Sequence, residues 1–171
     1  MGPRPGSLDN SPPGMDGSPD FIAEPMEREL VFELPNDLLC IEEAVEFVLA
    51  RCSTCEEVAR KLRLNFRVSL VEALSNAMIY GNGRDPDKRV RLEVTMMTGR
   101  VTARVTDQGT GFDPQCIPDP TTPDNLCREG GRGLFLMRKL MDEVHYNDQG
   151  NSVTLVLHTA GPESFRGEAR A

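Results

Sequence analysis

The sequence predicts an α+β fold, a two-layer α/β sandwich whose mixed, mostly antiparallel sheet is covered by helices on one face. Three observations lead there. Residues 90–96 and 101–105 alternate apolar with polar side chains at the strand period. Two helical patterns precede them, at about 36–51 and 62–80. One more helix and a closing pair of strands follow a long connection that carries four prolines.

Residues 1–27 read as a tail, dense in Pro, Gly, Ser and Asp with no periodic apolar pattern, so burial cannot offset the entropy of ordering them. Leu30, Phe32 and Leu34 then alternate with Val31 and Glu33, predicting a strand that ends at Pro35. Asn36 or Asp37 can cap a helix running to about Arg51, with Ile41, Val45 and Val48 along one side. A second helix is predicted over Leu62–Tyr80, with an apolar face of Leu70, Leu74, Ala77 and Met78, ended by Asn82-Gly83 and Pro86. Val90, Leu92, Val94 and Met96 mark the next strand. Thr98-Gly99 turns the chain, and Val101, Ala103 and Val105 complete a hairpin.

Residues 113–129 hold Pro114, Pro118, Pro120 and Pro123 without periodicity, a length of connection that points to a functional loop. A helix from about Gly133 to Met141 and strands near 143–147 and 152–158 close the domain, which is expected over 28–160 with a second tail at 161–171.

A chain of 171 residues fits one domain plus tails and can bury a real core. The net charge of −8, with no basic run, argues against nucleic acid as a direct partner. No apolar run reaches the roughly 18 residues needed to span a bilayer, and the N-terminus lacks the layout of a secretory signal, so a cytoplasmic location without membrane contact is expected. Five cysteines without an export signal are expected to be reduced thiols. Cys52 and Cys55 form a lone CxxC. A zinc site needs a second pair of ligands, which Cys116 and Cys127 stand too far apart to supply, so packing is the expected role.

Three segments carry chemistry. Asn65, Ser69, Glu72, Asn76 and Tyr80 recur at three- and four-residue steps and so share a stripe of the second helix. Such a stripe is usually the solvated face. Glu72 and Asn76, however, lie among Val71, Ala73, Leu74 and Ala77, and their spacing sets two hard oxygen ligands side by side, of the kind Mg²⁺ accepts beside phosphate. Asp107 continues the inward parity of Val101, Ala103 and Val105, so its carboxylate must find a donor. An adenine amine would serve, and so would its own backbone in a turn. Gly109 and Gly111 after it permit close approach of a ligand. In REGGRGLFLM, Gly130, Gly131 and Gly133 precede helix formers, either a hinge or a place where helix N–H groups meet phosphate. The loop ahead of them could close over a triphosphate.

Taken together, ExxxN on a helix, DxGxGF after a strand and GGxGL opening a later helix resemble the N, G1 and G2 boxes of the GHKL ATPase superfamily (the Bergerat fold). The resemblance covers about residues 28–158 in the family's order. VEALSNAMIYGNG and GGRGLFLMRKLMDEV are most similar to the bacterial anti-sigma factor serine/threonine kinases.

By position, the resemblance implies ATP and Mg²⁺ as ligands. Asn76 would hold the metal and Asp107 would receive the adenine N6 amine. Gly109 and Gly111 would shape the base pocket, and Gly130, Gly131, Arg132 and Gly133 would face the phosphates. Glu72 would be the general base that takes a proton from a protein serine. Arg128 or Arg132 would offset γ-phosphate charge. Two positions depart from the family: Tyr80 stands where His is frequent, and Ser152 replaces a threonine hydroxyl near the adenine. The partners implied are a sigma factor and its antagonist (anti-anti-sigma) protein, with a homodimer formed near the first strand and helix. A nucleotide-gated interaction module without kinase turnover is the competing reading. A histidine-kinase fragment fits poorly, because no histidine precedes the domain.

Overall fold

The computed structural model describes residues 27–52, 56–113 and 132–159, without the side chains of 56–58. Both expected tails, apart from Glu27, and residues 114–129 of the proline-bearing loop lie outside the described residues.

Five strands form one sheet: β1 (Arg28–Pro35), β2 (Arg89–Met97), β3 (Arg100–Thr106), β4 (Glu143–Tyr146) and β5 (Ser152–His158). Their order is β1-β2-β3-β5-β4. All four pairings are antiparallel, so the expected α+β sandwich is found, with a sheet that is wholly rather than mostly antiparallel among the described residues. The closing hairpin docks through its second strand: Thr106 lies opposite Ser152 and Val101 opposite Leu157. That register brings the β4–β5 turn beside the end of β3.

Alternation works as the sequence implies. Val90, Leu92, Val94, Val101, Ala103 and Val105 turn inward, while Arg91 on the far face pairs with Glu33 and Glu93 in solvent. The helices lie on the inward side: α1 (Cys40–Arg51), α2 (Glu56–Lys61), α3 (Arg67–Asn76) and α4 (Arg132–Leu140). Val45, Val48, Phe66, Leu70, Leu74, Met78 and Met137 close the core against the strands. Removing this apolar area from water is the main stabilising term. Arg67 bridges Glu42 and Glu46, tying α3 to α1 at the surface.

Three local expectations need correction. Neither Asn36 nor Asp37 caps α1. Asp37 closes a turn one step earlier, where its Oδ1 accepts the Leu39 N–H at 3.0 Å and its carbonyl accepts the Cys40 N–H at 3.2 Å. Asn36 donates instead to Asp85 O at 2.9 Å. The second helix starts at Glu56 rather than Leu62, and two π-helical turns, Leu62–Phe66 and Ala77–Gly81, interrupt it. Each takes in an extra residue and rotates the helix beyond it, so a stripe counted at the α period drifts off its face.

Cys52 packs in the core at 3% exposure, and burial pushes its thiol up to about 11, which disfavours the thiolate a metal needs. Cys55, Cys116 and Cys127 lie outside the described residues. No described helix is long and apolar enough to cross a membrane.

Candidate functional site

The stripe on α3 is not a solvated face. Ser69 is fully buried and Asn65, Glu72 and Asn76 are half-buried, whereas Leu64 and Val68 stand exposed on the same helical run. Tyr80, carried by the second π turn, has rotated out to 70% exposure and leaves the stripe. Polar groups are turned inward here beside the buried Leu70, Ala73 and Leu74, which an ordinary solvated stripe does not do.

The first turn of α4 covers these polar groups. A methyl group at Gly133 would come within 2.5 Å of Glu72 Oε2 and 3.2 Å of Asn76 Nδ2, so the helix opening rests on both side chains because its residue is glycine. Its first-turn N–H groups have no partner within the helix. Among the described residues, Asn76 Nδ2 and Ser69 Oγ are buried without a hydrogen-bond partner. An orphaned buried amide is costly in a folded protein and suits a place completed by a ligand. Turned over, the same amide presents an oxygen, which Mg²⁺ accepts.

Asp107 is built by a different part of the chain. Its N–H donates to Asn151 O at 2.9 Å, and Asn151 Nδ2 donates back to Asp107 O at 3.3 Å. Oδ1 accepts the Gly109 N–H at 2.7 Å, which is the backbone turn the sequence left open as an alternative. Burial pushes the Asp107 carboxyl up, against the Gly109 N–H and the charge of Lys88, which pull it down. Gly111 and the Gln149 carbonyl press so closely that a side chain at 111 would overlap it. Ser152 Oγ lies 2.8 Å from Thr106 Oγ1, one step along the strands from the inward-turned Val105 and Val153 and so on the opposite face of the sheet. Phe112 packs edge-on against Tyr146, with ring centroids 5.4 Å apart.

Of the residues singled out in the sequence, the structure gathers Glu72, Asn76 and Gly133 in one group and Asp107, Gly109 and Gly111 in another, while the Ser152 hydroxyl is engaged by Thr106. Arg132 opens α4 at the surface. Gly130, Gly131 and Arg128 lie outside the described residues.

Two neighbours of the second group escape the sequence reading. Gly81 is not singled out there and Asn82 reads only as half of the helix-ending Asn82-Gly83, yet a methyl group on Gly81 would overlap the Asp107 carboxylate, and Asn82 is a buried amide at 1% exposure. Glycine and asparagine at a helix end are so common that nothing local marks them out.

Serine-protein kinase RsbW of Listeria monocytogenes serotype 4a (strain HCC23) is 30% identical over 98 residues, 53% of this chain and 62% of that protein. The RsbW of Oceanobacillus iheyensis is 27% identical over 116 residues, 61% of this chain and 73% of the relative. That of Staphylococcus epidermidis is 29% identical over 98 residues, 53% of this chain and 62% of the relative. The chain thus spans somewhat under two thirds of the length of the Listeria and Staphylococcus relatives. The histidine kinase-like ATPase domain matches residues 35–157, from the end of β1 through β5, and the chain belongs to that family.

Proposed function

We propose that the protein is an ATP-dependent serine/threonine protein kinase that acts as an anti-sigma regulatory factor and phosphorylates a serine of an antagonist protein. The observation that carries this reading is the meeting of Glu72, Asn76 and Gly133, a carboxylate and an unsatisfied amide beneath the opening of a helix. The kinase name of the relatives supports the same reading.

The two groups of residues divide the work. Asp107 would receive the adenine amine, and Gly109 and Gly111 would let the turn that carries it close against the Gly81 and Gln149 carbonyls. Asn76 would hold Mg²⁺ through its amide oxygen once the amide is turned over, and the metal would neutralise charge on the phosphates. Gly133 and Arg132 would lie at the phosphate end, where the positive end of the α4 dipole favours an anion, and the resemblance adds Gly130 and Gly131. Glu72 would accept the proton of the incoming serine hydroxyl as that oxygen bonds the γ-phosphorus and ADP leaves with the β–γ bridging oxygen. That step needs positioning more than covalent help, which is what a carboxylate packed under Gly133 supplies.

The partners are a sigma factor and the antagonist, met in the cytoplasm. A homodimer forms along β1, an edge of the sheet, where Val31 and the neighbouring Leu39 and Phe47 are exposed. The experiment is transfer of the labelled γ-phosphate of ATP to the cognate antagonist, with Glu72→Gln as comparison. Transfer that the substitution removes supports the kinase. Tight ATP binding without transfer to any antagonist would sink it and leave a nucleotide-gated interaction module.

A further inference from the structure

Asn82 is buried and both ends of its amide are bonded. Nδ2 donates to Arg89 O at 3.0 Å and to Asn36 Oδ1 at 3.2 Å, while Oδ1 accepts the Gln108 N–H at 2.8 Å. Gln108 Oε1 in turn accepts the Arg89 N–H at 2.7 Å. Gln108 is the residue between Asp107 and Gly109, so the helix end reaches across and pins the middle of the turn that aims the Asp107 carboxylate. The other anchors of that turn come from its own Gly109 N–H and from Asn151. An amide satisfied in this way has no free group for a ligand, and its influence runs through the turn it holds.

We infer that Asn82 is a positioning residue that sets the preference for adenine over guanine nucleotides. The inference rests on the nucleotide reading proposed for this site. Adenine offers an amine donor at C6 where guanine offers a carbonyl acceptor. A fixed carboxylate bonds the first and repels the second. Discrimination therefore depends on the carboxylate being held in place, whereas phosphate and Mg²⁺ contacts serve both nucleotides equally. Without the Asn82 oxygen the Gln108 N–H loses its partner, the turn relaxes and the carboxylate can swing off the adenine edge. Affinity for ADP then falls towards that for GDP.

The test is calorimetric binding of ADP and GDP with Mg²⁺ to the full chain, wild type, Asn82→Ala and Asn36→Ala, well below each melting temperature. Asn36→Ala removes bonds of the same network, to Asp85 O and to Asn82, but leaves the Asn82–Gln108 bond. The expected result is an ADP-to-GDP preference that shrinks about tenfold or more in Asn82→Ala, as loss of a hydrogen bond to a charged group would cause. Asn36→Ala should melt lower with its preference intact. An unchanged preference in Asn82→Ala, or an equal shrinkage in Asn36→Ala, overturns the inference and leaves ATP binding untouched. Equal affinity of the wild type for both nucleotides also overturns it. A wild type that binds neither nucleotide overturns the nucleotide reading itself. Should Asn82→Ala not fold in plain buffer, the three proteins are compared in sucrose, which favours the compact state, and an intact preference of Asn82→Ala there counts against the inference.

Discussion

Gly81 lends the space of its missing side chain to the carboxylate of Asp107. A methyl group on Gly81 would overlap the carboxyl carbon and both of its oxygens. The obstruction is a short side chain tied to the Gly109 N–H, so it cannot yield by rotating away without breaking that bond. Gly81 itself lies at the end of a helical turn and has no left-handed backbone requirement. Gly81→Ala should therefore fold, since alanine gains up to about 1 kcal/mol of helix propensity over glycine. It should lose roughly tenfold or more in ADP affinity through the displaced carboxylate. Calorimetry beside a thermal melt checks both halves, and loss of fold with binding would show that the overlap is spread through the core instead.

Asp107 is expected to trade stability for binding. Burial raises its folded-state value above the ordinary one, so the folded protein holds this proton more tightly than the unfolded chain does. The stability from this group is then complete below the unfolded value and is lost as pH rises through the folded value. Asp107→Asn removes that loss. Without nucleotide it should melt at or above the wild-type temperature at neutral pH, and the gap should close as the pH falls below the ordinary carboxylate range. Its ADP affinity should fall by an order of magnitude or more, roughly the worth of a charged hydrogen bond. Melting curves across pH decide the first claim, and a variant less stable than wild type at neutral pH would contradict it.

Asn76→Ala takes away the buried amide whose nitrogen has no partner among the described residues. Losing an unsatisfied polar group costs little, so the melting temperature should change only slightly. Nucleotide binding should lose its dependence on Mg²⁺. Titrations of ADP with Mg²⁺ and with a chelator make the comparison, and a persistent Mg²⁺ effect would move the metal to other residues.

Glu72→Gln keeps the size of the side chain under Gly133 and removes its proton-accepting charge. Phosphate transfer should fall by about 10²–10⁴-fold, the usual worth of a positioned general base. ADP affinity should stay near wild type. Parallel transfer and binding measurements separate the two, and equal loss in both would make Glu72 a binding group.

Much of this could be read before the chain was folded. Alternation in 90–96 and 101–105 determined two strands, and its parity carried Asp107 toward the interior, because side chains of a strand turn to opposite faces whatever surrounds them. The three-and-four spacing of Ser69, Glu72 and Asn76 determined that they share one side of a helix. Which side that is, solvent or core, was decided only when α4 set Gly133 upon it. Tertiary structure likewise decided that β5 enters between β3 and β4 and so delivers Asn151 to Asp107, and that Gly81 and Asn82 seat the carboxylate turn. The physical reason is range. Periodicity and turn chemistry record what a segment does with its own neighbours, while the contacts of Gly81, Asn82 and Asn151 join residues far apart in the chain and exist only once strand register and helix packing are set.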